Sequence, residues 1–98
     1  MTARVRLLPA VEADLRSGFD WYEERQVGLG AEFIRCVDSC VELIRRHPEV
    51  GPVIHRQVRR AVIRRFPYSI MYLVETDVVV VVAIFHAARD PNVWKRRA

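Results

Sequence analysis

Ninety-eight residues, 51% hydrophobic and 29% charged, suffice for one two-layer domain and lie far from the composition of a disordered chain. That size excludes a cofactor domain joined to a substrate domain, and the longest apolar run, the eight residues Val78 to Phe85, falls short of the ~18 needed to span a bilayer. The formal net charge of +4 hides a division: residues 1–55 carry seven Arg against nine Asp or Glu, whereas residues 56–98 carry eight Arg and one Lys against three acids. A basic half of this kind suits nucleic acid, a machine that handles nucleic acid, or an acidic protein partner, and composition alone does not rank the three. The start, Met1-Thr2-Ala3-Arg4, has no signal-peptide core. A single domain over residues 1–98, cytoplasmic and without a membrane partner, is expected.

Arg4 to Leu8 reads as a short strand ended by Pro9. Val11, Leu15, Phe19 and Tyr22 then recur at helical spacing, with Glu12, Asp14, Asp20, Glu23 and Glu24 on the other positions, Pro9 in the first turn, and Gly28 and Gly30 after the end. A second helix is expected from about Ala31 to His47, with Phe33, Val37, Cys40 and Ile44 on its buried face and Pro48 as its stop. The short link implies an antiparallel hairpin. After Gly51-Pro52 the period becomes alternating: Val58 to Arg65, Tyr68 to Glu75 and Val78 to Phe85 read as three consecutive strands of a meander, the last buried on both faces. The first strand is expected beside this central one. The fold class is therefore α+β, a helical hairpin on one face of a small, mainly antiparallel sheet, with the arginines of the first meander strand emerging on the other face.

Arg56, Arg59, Arg60, Arg64 and Arg65 fall within ten positions, with no lysine among them. Guanidinium forks bind phosphates and carboxylates bidentately, so the run suits a polyanionic partner. The plainer alternative is an edge strand kept polar against sheet-to-sheet pairing. Arg89, Lys95, Arg96 and Arg97 extend the same charge towards the C-terminus. His86, at the end of the central strand, is either a general acid or base beside arginines or a histidine hydrogen-bonded to hold the following turn, with Asp90 paired to Arg89. Trp94 reads as a clamp of the tail onto the sheet rather than a stacking platform, and Trp21 and Tyr22 read as packing of the helical hairpin, with a surface open to a partner as the alternative for Trp21, which lies off the main helical stripe. Cys36 and Cys40, one turn apart, read as small buried hydrophobes, since two residues do not complete a zinc site. No phosphate loop, carboxylate pair or nucleophile elbow is present in the sequence, and no cofactor or metal is expected.

The run WYEERQVGLGAEFIRCVDSCVELIRRHPEVGP, followed by RRAVIRRFPYSIMYLV and VVAIFHAARDPNVWKRR, resembles the RelE/ParE superfamily of toxins from bacterial type II toxin–antitoxin systems across nearly the whole chain. Gly28-Leu29-Gly30 with Phe33, the Pro48-to-Pro52 turn, Phe66-Pro67-Tyr68 with Tyr72, and His86 with Arg89-Asp90-Pro91 and Trp94 carry the resemblance. It implies a β-α-α-β-β-β order and a cognate antitoxin whose acidic segment covers the basic surface. RelE-like members cut mRNA on the ribosome, and ParE-like members poison DNA gyrase. The resemblance to ribonucleases would give His86, Arg64 and Arg65 catalytic roles. No tyrosine follows Tyr72, however, and the Arg-Asp-Pro and Trp tail resembles the ParE-like side. There Arg56, Arg59, Arg60, Arg89, Trp94, Lys95, Arg96 and Arg97 would meet gyrase or the antitoxin. A degenerate module that keeps only antitoxin binding is the third alternative.

Overall fold

In the computed structural model, which describes residues 2–98, the chain runs β1 (Arg4–Leu7), α1 (Pro9–Arg25), α2 (Leu29–Arg46), β2 (Val53–His55), β3 (Val58–Val62), β4 (Tyr68–Glu75), β5 (Val78–His86) and α3 (Asn92–Lys95). Pro9 ends β1, because it has no N–H for a ladder, and its fixed φ starts α1. Gly30 lies inside α2 rather than between the helices. A Cβ there would stand 2.8 Å from the Phe19 carbonyl oxygen, so glycine is what lets the two helices close at their joint. The start of α2 is capped from α1: the Glu23 carboxylate accepts from the N–H of Gly28, at 3.0 and 3.1 Å, and of Gly30, at 3.0 Å. Gly28 itself has φ 90°, a conformation that costs glycine little.

The sheet order is β1-β5-β4-β3-β2, with β1 beside β5, as expected; that pair is parallel and the other neighbours are antiparallel. Two expectations about the first meander strand are corrected. Val53-Ile54-His55 adds an edge strand too short to show a period, and β3 ends at Val62, so Arg64 and Arg65 lie in the following loop instead of on the strand. The Ile63 N–H still reaches the Tyr68 carbonyl, after which Arg65 turns the chain at φ 72°. Between β4 and β5 the register slips, Met71 opposing Ala83 and Tyr72 opposing Val81, which leaves Val82 as an extra residue on β5.

Side-chain alternation sorts the interior into two layers. Val11, Phe33, Val37 and Ile44 of the helices pack on Ala61, Ile63, Ile70, Tyr72, Val79, Val81 and Ile84 on one face. On the second face Val58, Met71, Val82, Ala83 and Phe85 form a smaller cluster closed by Trp94, which is 2% exposed. Trp94 is therefore a clamp. Its ring stands 5.7 Å from that of His55, edge to face, joining the tail to β2. No helix among the described residues is long and apolar enough to cross a membrane.

Candidate functional site

The second face carries a groove of about 320 Å³ between the sheet and α3. Its apolar lining includes Met71, Phe85 and Trp94, Ser69 adds a hydroxyl, and Arg60, Arg89 and Lys95 supply three cations. Alternation along β3 puts Arg60 there, because Val58 and Arg60 share the second face while Arg59 and Ala61 point to the helices. Arg89 holds its guanidinium carbon 5.6 Å from the Phe85 ring centre, and the Lys95 Nζ is 6.0 Å from that of Trp94. Among the described residues none of the three cations meets a carboxylate, and no acidic side chain lines the groove. Three cations without a carboxylate beside apolar side chains form a chemistry suited to an anionic group that also carries apolar surface.

The remaining basic residues have other circumstances. Arg59 donates to the carbonyls of Gly51, at 2.7 Å, and Glu49, at 3.2 Å, fixing the turn before β2. Tyr72, fully buried, supports the same turn: its hydroxyl donates to the Pro48 carbonyl at 2.7 Å and accepts from the Gly51 N–H at 3.0 Å, while burial raises its pKa. Arg65 reaches back to Glu32 of α2 at 2.5 Å. Arg35 holds that carboxylate from the other side, and the two guanidinium groups, Arg35 first, lower the Glu32 pKa below its ordinary value. Arg56 is exposed on the β2–β3 turn with φ 53°, and Arg96 donates through Nε to the Asn92 carbonyl at 3.1 Å.

Arg97 is engaged most deeply. It forms a bidentate pair with Asp14, at 2.6 and 3.0 Å, and donates to the Val82 carbonyl at 3.1 Å. Asp14, expected on the outer positions of the first helix, is 8% exposed and also accepts from the Ile84 N–H at 3.1 Å. Its hydrogen bond raises the Arg97 pKa. The sequence does hold a signal for it: Asp14 falls between Val11 and Gly18, the other two buried residues of α1, at spacings of three and four.

His86 lines neither the second-face groove nor its counterpart beside α2. Its Nδ1 accepts from the Ala88 N–H at 2.9 Å, and its ring stands edge-on to Tyr68 at 5.1 Å. Asp90 is not paired with Arg89 but accepts from the Asn92 N–H at 3.0 Å, opening the turn into α3. Arg64 and Arg65 line the groove of about 460 Å³ beside α2, with Cys36, Cys40, Leu43 and the edge of β3 at Val62. Burial pushes the Cys40 thiol up to about 11. Trp21 stays 53% exposed under the Arg25 guanidinium, whose carbon is 3.1 Å from the ring centre. No group of three or more His, Cys, Asp or Glu that could hold a metal ion occurs among the described residues.

The fold is similar to that of a chain from the chromosomal ParDE toxin–antitoxin system of P. aeruginosa, with a TM-score of 0.77 and 17% identity, covering 87% of this chain and 96% of that one. It is also similar to a chain from the RelBE2 toxin–antitoxin complex of Mycobacterium tuberculosis, with a TM-score of 0.65 and 20% identity, covering 91% of this chain and 95% of that one. No curated protein sequence matches. The family model described as the ParE toxin of type II toxin–antitoxin system, parDE, matches residues 5–91, and the chain belongs to that toxin family.

Proposed function

We propose that this toxin inhibits DNA gyrase by docking through the cationic groove of its second face, and that a cognate antitoxin neutralises it in the cytoplasm. The observation that carries the reading is the convergence of Arg60, Arg89 and Lys95, none paired with a carboxylate among the described residues, in a groove whose lining holds apolar side chains and no acidic residue. The position of His86 supports binding over cleavage, since its Nδ1 holds the following turn and Arg64 and Arg65 belong to the other groove. The groove beside α2 offers the antitoxin a place. Leu43 is 46% and Val62 66% exposed, and beyond β2 the Val62 carbonyl receives only the Cys40 thiol, at 3.9 Å. An extended segment with apolar and acidic side chains would pair with that edge and meet Arg64. The relatives of similar fold come from toxin–antitoxin systems, which agrees with such a partner.

Purified gyrase supplies the test. The toxin should block supercoiling, His86→Ala should block it equally well, and transcripts in arrested cells should stay intact. Inhibition should weaken as salt rises, because the contact is charge-driven. Codon-positioned mRNA cuts abolished by His86→Ala would instead make the chain a ribosome-dependent endoribonuclease using His86, Arg64 and Arg65. Harmless expression without antitoxin would leave a module that only binds antitoxin.

A further inference from the structure

The pair Asp14–Arg97 stands where β1 would have continued. Pro9 ends β1 opposite Val81, so the Val82 carbonyl and the Ile84 N–H on that edge of β5 have no strand to meet. Arg97 takes the carbonyl and Asp14 the N–H, and the two close on each other. Asp14 comes from α1 on the helix face. Arg97 comes from the segment that follows α3 on the second face. The pair therefore ties the two layers together around the edge of the sheet.

The tail has reason to need such a tie. Lys95 lines the same groove as Arg60 and Arg89, and Arg96 follows it in sequence, so like-charge repulsion works against docking of the tail on that face. Burial of Trp94 opposes this, but α3 is only four residues long and too short to hold itself in place. Asp14 is the one carboxylate that the tail's cations meet within ion-pair distance among the described residues.

We propose that Asp14 and Arg97 are positioning residues for the second-face groove: their ion pair latches the tail, and so fixes where Trp94 and Lys95 stand relative to Arg60. The latch itself is a property of the free toxin, while its consequence for toxicity rests on the reading of that groove as the target surface.

Trp94 reports the latch without any target. In a Trp21→Phe background it is the sole tryptophan, and in the intact chain it should resist quenching by acrylamide. Arg97→Ala should raise its quenching by ~3-fold or more, and speed trypsin cleavage after Lys95 and Arg96, while the chain still melts cooperatively. Arg97→Lys keeps the charge but not the fork, and should restore part of the shielding. Should Arg97→Ala unfold the chain, Asp14→Asn, which keeps an acceptor for the Ile84 N–H, makes the same test. Trp94 remaining shielded, or exposed only on global unfolding in both variants, would overturn the latch. In cells, Arg97→Ala should need ~10-fold more toxin for arrest, as should Lys95→Glu. If Lys95→Glu arrests growth normally, the reading of the groove fails while the latch stands. If Lys95→Glu is harmless and Arg97→Ala, with Trp94 released, is fully toxic, the positioning role fails while the groove stands.

Discussion

The groove on the second face and the groove beside α2 are both rimmed by arginine, and they differ in what the guanidinium groups touch. Beside α2, Arg65 is held by Glu32, and the space between is apolar, with Leu43 and two thiols. On the second face, Arg89 lies by the Phe85 ring and Lys95 by the Trp94 ring, and among the described residues neither they nor Arg60 meets a carboxylate. A basic sequence thus divides into cations that tie parts of the molecule together and cations that meet no carboxylate among the described residues. Charge counted along the chain measures neither group by itself.

Truncating the arginines separates the two groups. The largest loss of stability is expected for Arg97→Ala, about 3 kcal/mol, because it leaves the buried Asp14 carboxylate without its counter-charge. Arg59→Ala should cost about 1–2 kcal/mol through the lost carbonyl contacts at the turn. Arg65→Ala, whose side chain is largely exposed, should cost less, and Arg60→Ala should stay within ~0.5 kcal/mol. Urea denaturation of the four variants checks the ranking; equal losses at Arg60 and Arg59 would erase the distinction between the groups.

The groove beside α2 can be probed through its thiols. Cys36 is half-buried, whereas Cys40 is buried with its thiol pushed up to about 11, so little thiolate forms at pH 8. Iodoacetamide should modify Cys36 first, with Cys40 at least ~10-fold slower. Equal rates would mean that this groove opens more widely than its packing allows.

The smallest effect concerns pH. Glu32 has its pKa lowered by Arg35 and then Arg65, so the stability it contributes is present above the ordinary glutamate value and is lost as pH falls through the depressed folded value. The tie between Arg65 and α2 should loosen over that acidic range, and Glu32→Gln should reduce the acid loss of stability, with Glu42, lowered by Arg45 and Arg46, keeping its own share. An unchanged acid limb of the stability curve in Glu32→Gln would assign the effect to other groups.

Most of the architecture is legible in the sequence, because long periodic segments carry it. Phe33, Val37, Cys40 and Ile44 mark the buried face of α2, and the β-branched run at Val78 marks the central strand. What escapes is set by contacts between distant segments. Gly30 looks like a helix breaker until Phe19 is packed against it, and Val53 to His55 forms a strand only because β3 offers an edge. The candidate site is half legible. Arg60, Arg89, Lys95 and Trp94 are visible as a basic, aromatic set, but nothing local distinguishes Arg60 from Arg59; only the parity of β3 against its two layers does. Asp14 and Arg97 lie 83 positions apart, so the pair that closes the sheet edge has no local trace beyond the spacing of Asp14 on its helix.

Charge reversal at Arg60 and at Lys95, set beside reversal at Arg64 and measured as gyrase supercoiling inhibition by the purified toxin, tests the central claim most directly. Arg60→Glu and Lys95→Glu should each abolish inhibition with the fold intact, whereas Arg64→Glu should inhibit as the unchanged chain does and lose affinity only for the antitoxin. Full inhibition by Arg60→Glu and Lys95→Glu, with Arg64→Glu inactive, would contradict it and move the target surface to the groove beside α2.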